Sequence, residues 1–243
     1  MDALTVFLVA LGTALATGLG ALPFFLGRPG RSWLGVANSL ASGFMLGAAA
    51  GLCYEGARYG AARTAAGLAA GVIFIAVSER LMGGRGRELH LGSLQGADAR
   101  RALLIVGVMT LHSFAEGVGV GVAFGVEETF GVLIGVAIAV HNIPEGLAIS
   151  LVLVPRGTSP RTAAAWSIFS SLPQPLMAVP AFLFVEEFAE VLPIGLGFAA
   201  GAMAWLVVAD LLPEALAASR RWTVTLIVAG SALSMLVFML LLL

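Results

Sequence analysis

The stretch Phe130–Val154, FGVLIGVAIAVHNIPEGLAISLVLV, decides the fold. It is long enough to cross a bilayer as a helix, which takes about 20 apolar residues. Its only ionisable side chains are His141 and Glu145, four residues apart. On a helix these two share a face, one turn from each other. An ionisable residue in mid-membrane is costly and is a functional hypothesis by default. Between them, Pro144 cannot donate to the Val140 carbonyl and is expected to kink the helix. A carbonyl freed in this way is useful only where it lines a cavity.

The preceding apolar stretch repeats the pattern, with His112-Ser113-Phe114-Ala115-Glu116-Gly117. Two such faces turned toward each other place two imidazoles and two carboxylates, His112, Glu116, His141 and Glu145, around one point. That donor set suits a divalent transition metal. Two carboxylates and one M²⁺ sum to zero charge. The empty site must hydrate or protonate its acids, so loading exchanges metal for protons. A plainer reading is a pair of buried His–Glu hydrogen bonds that only hold helices together; the repetition on adjacent spans favours the site. Further on, Ser170, Ser171, Pro173, Gln174 and Pro175 suggest a broken helix beside a polar cavity.

The rest of the chain fits this setting. Of 243 residues, 59% are hydrophobic, with 13 basic and 14 acidic residues, and the mean hydropathy is +1.00. Soluble domains carry about a quarter of their residues as charges. A soluble enzyme, a disordered chain and a nucleic-acid partner are excluded. The single Cys53 excludes a disulfide framework and a CxxC zinc site. Every basic residue is Arg, so a Schiff-base lysine is excluded. The N-terminus lacks a basic region ahead of its apolar run and reads as a first span rather than a cleaved signal.

Eight spans are expected, at Leu4–Leu26, Trp33–Cys53, Thr64–Met82, Ala102–Phe124, Phe130–Val154, Thr162–Val185, Val191–Leu216 and Trp222–Leu243. The fold class is an all-α membrane protein of one domain, residues 1–243, lying in lipid. A loop at about 83–101, rich in Gly and Arg, separates spans three and four. Its His90 is either solvated or an accessory metal ligand. If span one runs inward, the inner loops hold Arg28, Arg31, Arg80, Arg85, Arg87, Arg100, Arg101, Arg156, Arg161, Arg220 and Arg221, and the outer loops only Arg58 and Arg63. This asymmetry places both termini outside. Glu127, Glu128, Glu186, Glu187 and Glu190 then lie outside, where they either attract cations or are simply solvated loop ends. GxxxG spacings at Gly43/Gly47/Gly51, Gly67/Gly71, Gly117/Gly121, Gly131/Gly135 and Gly197/Gly201 predict close helix packing.

With these residues in view, the chain resembles the ZIP (Zrt/Irt-like) family of metal transporters, in its compact prokaryotic branch of GufA-type and ZupT-type proteins. The motif His141–Gly146 is highly specific, and His112–Gly117 matches the span-four motif. Ala199-Ala200-Gly201-Ala202-Met203 with Asp210, Pro213 and Glu214 resembles the seventh span, and Ser78-Glu79-Arg80 sits where many members have an acidic–Arg pair. The resemblance implies transport of Zn²⁺, Fe²⁺, Mn²⁺ or similar ions toward the cytoplasm by alternating access, along a path between spans two, four, five and seven. It implies a bacterial cytoplasmic membrane and often a homodimer. It assigns a first metal to His112, Glu116, His141 and Glu145, and a second to Ser113, Glu116, Asn142, Glu145 and Gln174. Here the chain departs from the family. Ser113 replaces an Asn or Asp, Gln174 replaces an acid, and Ala115 stands where Pro is usual, which leaves span four straighter. A neutral Gln removes charge that would offset a second M²⁺, so one central ion is expected.

Spans two and seven read similarly around Gly43 and Gly201 while running in opposite directions, a weak sign of an inverted repeat. Glu55 then lies at the outer mouth, and Asp210 and Glu214 at the inner mouth. They are either gate acids or helix-end carboxylates in water. Two His with two Glu suit Zn²⁺ and accommodate Fe²⁺, Mn²⁺, Co²⁺ and Cd²⁺ as the bound substrate, with no catalytic cofactor. Mg²⁺ and Ca²⁺ prefer all-oxygen sites. An intramembrane metalloprotease would need HExxH, which is absent from the sequence. A haem carrier would use His112 and His141 beside unsuited glutamates. A metal-binding sensor or transport-inactive relative is the remaining alternative.

Overall fold

The computed structural model describes residues 2–27, 31–83, 90–91, 94–187 and 189–242. Arg28, Arg85 and Arg87 lie outside the described residues, as do the side chains of Arg31, Glu79, His90, Arg100, Arg101 and Glu186. Helix α1 (Ala3–Thr17) starts at Asp2, whose Oδ1 accepts from the Thr5 amide at 2.9 Å and hydroxyl at 2.6 Å. These bonds satisfy an open helix start and hold the Asp2 carboxyl below the usual carboxylate range. A 3₁₀ turn, Gly18–Ala21, joins α1 to the short α2 (Pro23–Leu26). Pro23 has no N–H for an α-helical bond to Leu19, and Leu22 bonds that carbonyl instead at 3.0 Å.

Next, α3 (Arg31–Gly83) is assigned as 53 helical residues broken at one position, Gly60, with φ 165° and ψ 95°. A straight helix of that length would run about 80 Å, against about 30 Å of hydrocarbon. The chain does not run straight. A Cβ built on Gly56 would lie 2.8 Å from Thr64 Oγ1, although eight helical residues span about 12 Å. The two arms of α3 therefore fold back on each other around Gly60. The polar connection expected between Cys53 and Thr64 is helical almost throughout.

Helix α4 (Gly96–Val126) begins earlier than its apolar residues suggest, so Ala97–Arg101 are helical rather than loop. Before it, His90–Leu91 pairs antiparallel with Leu94–Gln95. Helix α5 (Glu128–Leu153) runs on through Pro144. The expected break in span six is present: α6 (Pro160–Ser171) stops one residue before α7 (Pro173–Glu187). Helix α8 (Leu192–Leu206) passes through a π segment, Val207–Leu211, into α9 (Leu212–Ala218). Pro213 offers no N–H to the Ala209 carbonyl, and the wider helical ring accommodates that loss. Helix α10 (Arg221–Leu242) ends the chain. Among the described residues, seven helical segments are long and apolar enough to cross a membrane, one of them the folded Gly35–Ser78.

Glycines bring these helices into backbone contact. A Cβ on Gly67 or Gly71 would strike the carbonyls of Ile194 and Phe198, and one on Gly197 or Gly201 would strike those of Thr64 and Leu68. The α3–α8 seam is thus reciprocal, with each glycine facing its partner's main chain. Gly117 and Gly121 receive the α7 carbonyls of Gln174 and Ala178, and Gly43 and Gly47 lie against Ser231 and Met235 of α10. Such contacts replace the missing hydrophobic drive between helices in lipid. Gly131 faces Phe124 and Gly135 faces Val9. All these pairs are used within the chain. Around them a core of Met45, Leu52, Phe124, Phe130, Ile134, Leu196, Met203 and Leu206 is fully buried.

Candidate metal centre

The polar residues buried inside this apolar bundle gather where α4, α5 and α7 meet α1. Potential ligand atoms of Glu116, His141 and Glu145 lie within 4.8 Å of one another, all three side chains buried. His141 Nε2 sits 2.9 Å from Glu116 Oε1. The ligand edge of a tetrahedral zinc site with bonds near 2.0 Å is about 3.3 Å. An ion could therefore replace this hydrogen bond with a shift of a few tenths of an ångström. His141 Nδ1 and Glu145 Oε1 are buried with no hydrogen-bond partner among the described residues. Unpaired buried polar atoms are costly and point to an occupant that satisfies them.

The fourth expected ligand does not join this trio. His112 is 2% exposed and lies one turn before Glu116. It lines a narrow gap together with Met45, Ala115, Glu116, Ala202, Met203 and Leu206. The i, i+4 spacing did set His112 and Glu116 on one face of α4, but it does not fix side-chain torsions. His112 must turn toward His141 to complete a four-ligand shell.

Three of the five residues assigned to a second metal, Glu116, Gln174 and Asn142, form a hydrogen-bonded chain. Gln174 Nε2 donates to Glu116 Oε2 at 2.6 Å, and Asn142 Nδ2 donates to Gln174 Oε1 at 3.1 Å. Asn142 Nδ2 also donates to the Thr13 carbonyl at 2.8 Å. Thr13 Oγ1 lies 2.5 Å from Gln174 Oε1 and 2.6 Å from the Ala10 carbonyl. Ser113 is completely buried, and its hydroxyl has no partner among the described residues. Thr13 was not singled out by sequence. Its one signal is that Thr13 and Thr17 lie a turn apart in a mostly apolar span, and Thr17 pairs with Ser171 at 2.8 Å.

The expected gate acids sit away from the centre. Glu55 is 4% exposed and pairs with the exposed Arg58 at 2.9 Å. Asp210 falls in the π segment. Glu214 accepts from the fully buried Asn38 of α3 at 2.9 Å. Of the acids expected outside, Glu127 and Glu128 are exposed, and Glu190 pairs with Arg63 at 3.3 Å.

Fold and site together define an integral membrane protein of packed helices around a buried Glu/His cluster that could hold a metal ion. The family model described as ZIP Zinc transporter matches residues 85–242, more than half of the chain. An Arabidopsis thaliana protein named as a zinc transporter is 49% identical over 214 residues, 87% of this chain and 34% of that protein. The zinc transporter GufA of Myxococcus xanthus is 32% identical over 63% of this chain and 61% of its own. The zinc transporter ZIPB of Bordetella bronchiseptica is 32% identical over 61% of this chain and 48% of its own. The chain thus spans between about a third and three fifths of these relatives. It belongs to the ZIP family.

Proposed function

We propose that this chain carries divalent transition-metal ions, Zn²⁺ foremost, across a bacterial cytoplasmic membrane toward the cytoplasm. The observation that carries the reading is the buried convergence of Glu116, His141 and Glu145 inside a ZIP-family bundle. The names of the relatives support the choice of zinc. Two formal negative charges beside a buried imidazole attract a dication, and the apolar wall around them strengthens that attraction. The chain acts as a transporter rather than an enzyme. Its relatives carry transporter names.

The bound ion takes His112, Glu116, His141 and Glu145 as ligands, with His112 swinging in from its space beside Met45. One ion binds centrally, because the Gln174 amide already occupies Glu116 Oε2. The two arms of α3 count as two crossings, giving eight spans with both termini outside. Alternating access then exposes the site to each side in turn. Glu55 serves the outer mouth. Asp210 and Glu214 serve the inner mouth, where the π segment gives α8–α9 local freedom. A second copy of the chain, if it assembles, uses faces other than the glycine seams.

Metal counting on the purified chain tests the site. One Zn²⁺ per chain is expected after gel filtration in metal-free buffer. Two central ions would contradict the single site, and none would contradict the metal centre itself.

A further inference from the structure

The amide of Gln174 has an orientation that its neighbours dictate. Asn142 Nδ2 donates to the Thr13 carbonyl, which identifies it as the nitrogen, and the same nitrogen donates to Gln174 Oε1. The Gln174 nitrogen must then face Glu116 Oε2, 2.6 Å away. The opposite orientation would set nitrogen against nitrogen at Asn142 and oxygen against carboxylate at Glu116. The Thr13 hydroxyl closes the arrangement, its single proton serving Gln174 Oε1 or the Ala10 carbonyl. Thr13, Asn142 and Gln174 are each at most 2% exposed, so water does not compete for these groups.

One consequence concerns Glu116. A carboxylate can bind a metal through one oxygen or both. Here Oε2 is held by the Gln174 amide, and Oε1 lies 2.9 Å from His141 Nε2. Zn²⁺ has no geometric preference from its d electrons and is content with four ligands. Mn²⁺ is served by more numerous, oxygen-rich ligands in octahedral sites. We infer that Gln174, aimed by Asn142 and Thr13, is a specificity-determining positioning residue that restricts Glu116 to one metal-facing oxygen and so favours four-coordinate Zn²⁺ over Mn²⁺. This rests on the metal-site reading above and adds to it a cause for selectivity. It also brings α1 into the site, through a residue that touches no metal.

The test is titration of Zn²⁺ and of Mn²⁺ against the purified full chain, for wild type, Gln174→Leu, Thr13→Val and Thr13→Ser. Leu fills the space of Gln174 and offers no donor, so Oε2 is released. Removing a group that orients a metal ligand costs about 10–100-fold in affinity. For Gln174→Leu we expect Zn²⁺ affinity to fall within that range and Mn²⁺ affinity to hold or rise, so the Zn²⁺/Mn²⁺ ratio drops about tenfold or more. Thr13→Val shifts the ratio the same way by less, and Thr13→Ser restores it. A merely structural role would weaken both ions alike. Equal losses, or an unmoved ratio in both Gln174→Leu and Thr13→Val with Zn²⁺ binding intact in wild type, overturn the inference alone. A wild-type chain that binds neither ion overturns the metal-site reading, and this inference with it.

Discussion

Replacing Glu145 by Gln should remove tight Zn²⁺ binding while leaving the helical bundle in place. Glu145 is 1% exposed, and its Oε1 makes no hydrogen bond with any described residue. Its side chain also bonds Glu116 of α4, but Oε1 is not spent on holding helices together. Gln keeps the size and shape but removes one of two formal charges that face the ion. Loss of an outer-shell partner costs about 10–100-fold in metal affinity, and loss of a ligand should cost at least the upper end, about 100-fold. Calorimetric titration of wild type and variant reads this directly. Glu128→Gln, in the exposed first turn of α5, serves as the control and should bind as wild type does. Equal affinities for wild type and Glu145→Gln would remove Glu145 from the site.

The second large effect concerns packing. Gly197→Val should prevent assembly of the α3–α8 seam, because its side chain would meet the Thr64 carbonyl and the Leu68 amide nitrogen. Main chain cannot rotate aside as a side chain can, so the helices must separate along their length. Overpacking a tight interior costs about 1–3 kcal/mol and occasionally more, and a clash with backbone belongs at about 3 kcal/mol. Gly230→Val is the matched control, since a Cβ there has nothing within 4 Å. Thermal unfolding in detergent should show a large drop for Gly197→Val and almost none for Gly230→Val. Similar midpoints for the two variants would mean that the seam does not hold the fold.

Much of this could be read from the residues, for identifiable reasons. The spacing of His141 and Glu145, repeated at His112 and Glu116, drew attention to residues of which three, Glu116, His141 and Glu145, lie together, because ionisable groups are rare in apolar helices. The break between α6 and α7 followed from Pro173 and Pro175. The glycine spacings foretold close packing, although only the fold pairs Gly67 and Gly71 with Gly197 and Gly201.

Other features were hidden for physical reasons. Charge and hydropathy mark membrane boundaries but not helix ends. Ala97–Arg101 reads as a loop by its Arg residues, yet Ala and Arg are strong helix formers and the segment is helical. The same conflict conceals the helical run around Gly60. The π segment at Val207–Leu211 leaves no trace in a 3.6-residue periodicity, and only Pro213 hints at it. Thr13 was illegible because hydroxyls in apolar helices commonly bond a carbonyl of the preceding turn, as Thr110 does with Val106 at 2.7 Å. Only its spacing of one turn from Thr17 separates it from those. His112 shows the limit from the other side, since sharing a helix face with Glu116 did not bring its ring into the converging trio.

Uptake of Zn²⁺ into proteoliposomes is the measurement closest to the central claim, with wild type and Glu145→Ala reconstituted at equal density. The account predicts saturable uptake by wild type that falls to the rate of protein-free liposomes in the variant. Wild-type uptake no faster than in protein-free liposomes, despite bound Zn²⁺, would contradict a transporter, and uptake unchanged by the substitution would contradict this site.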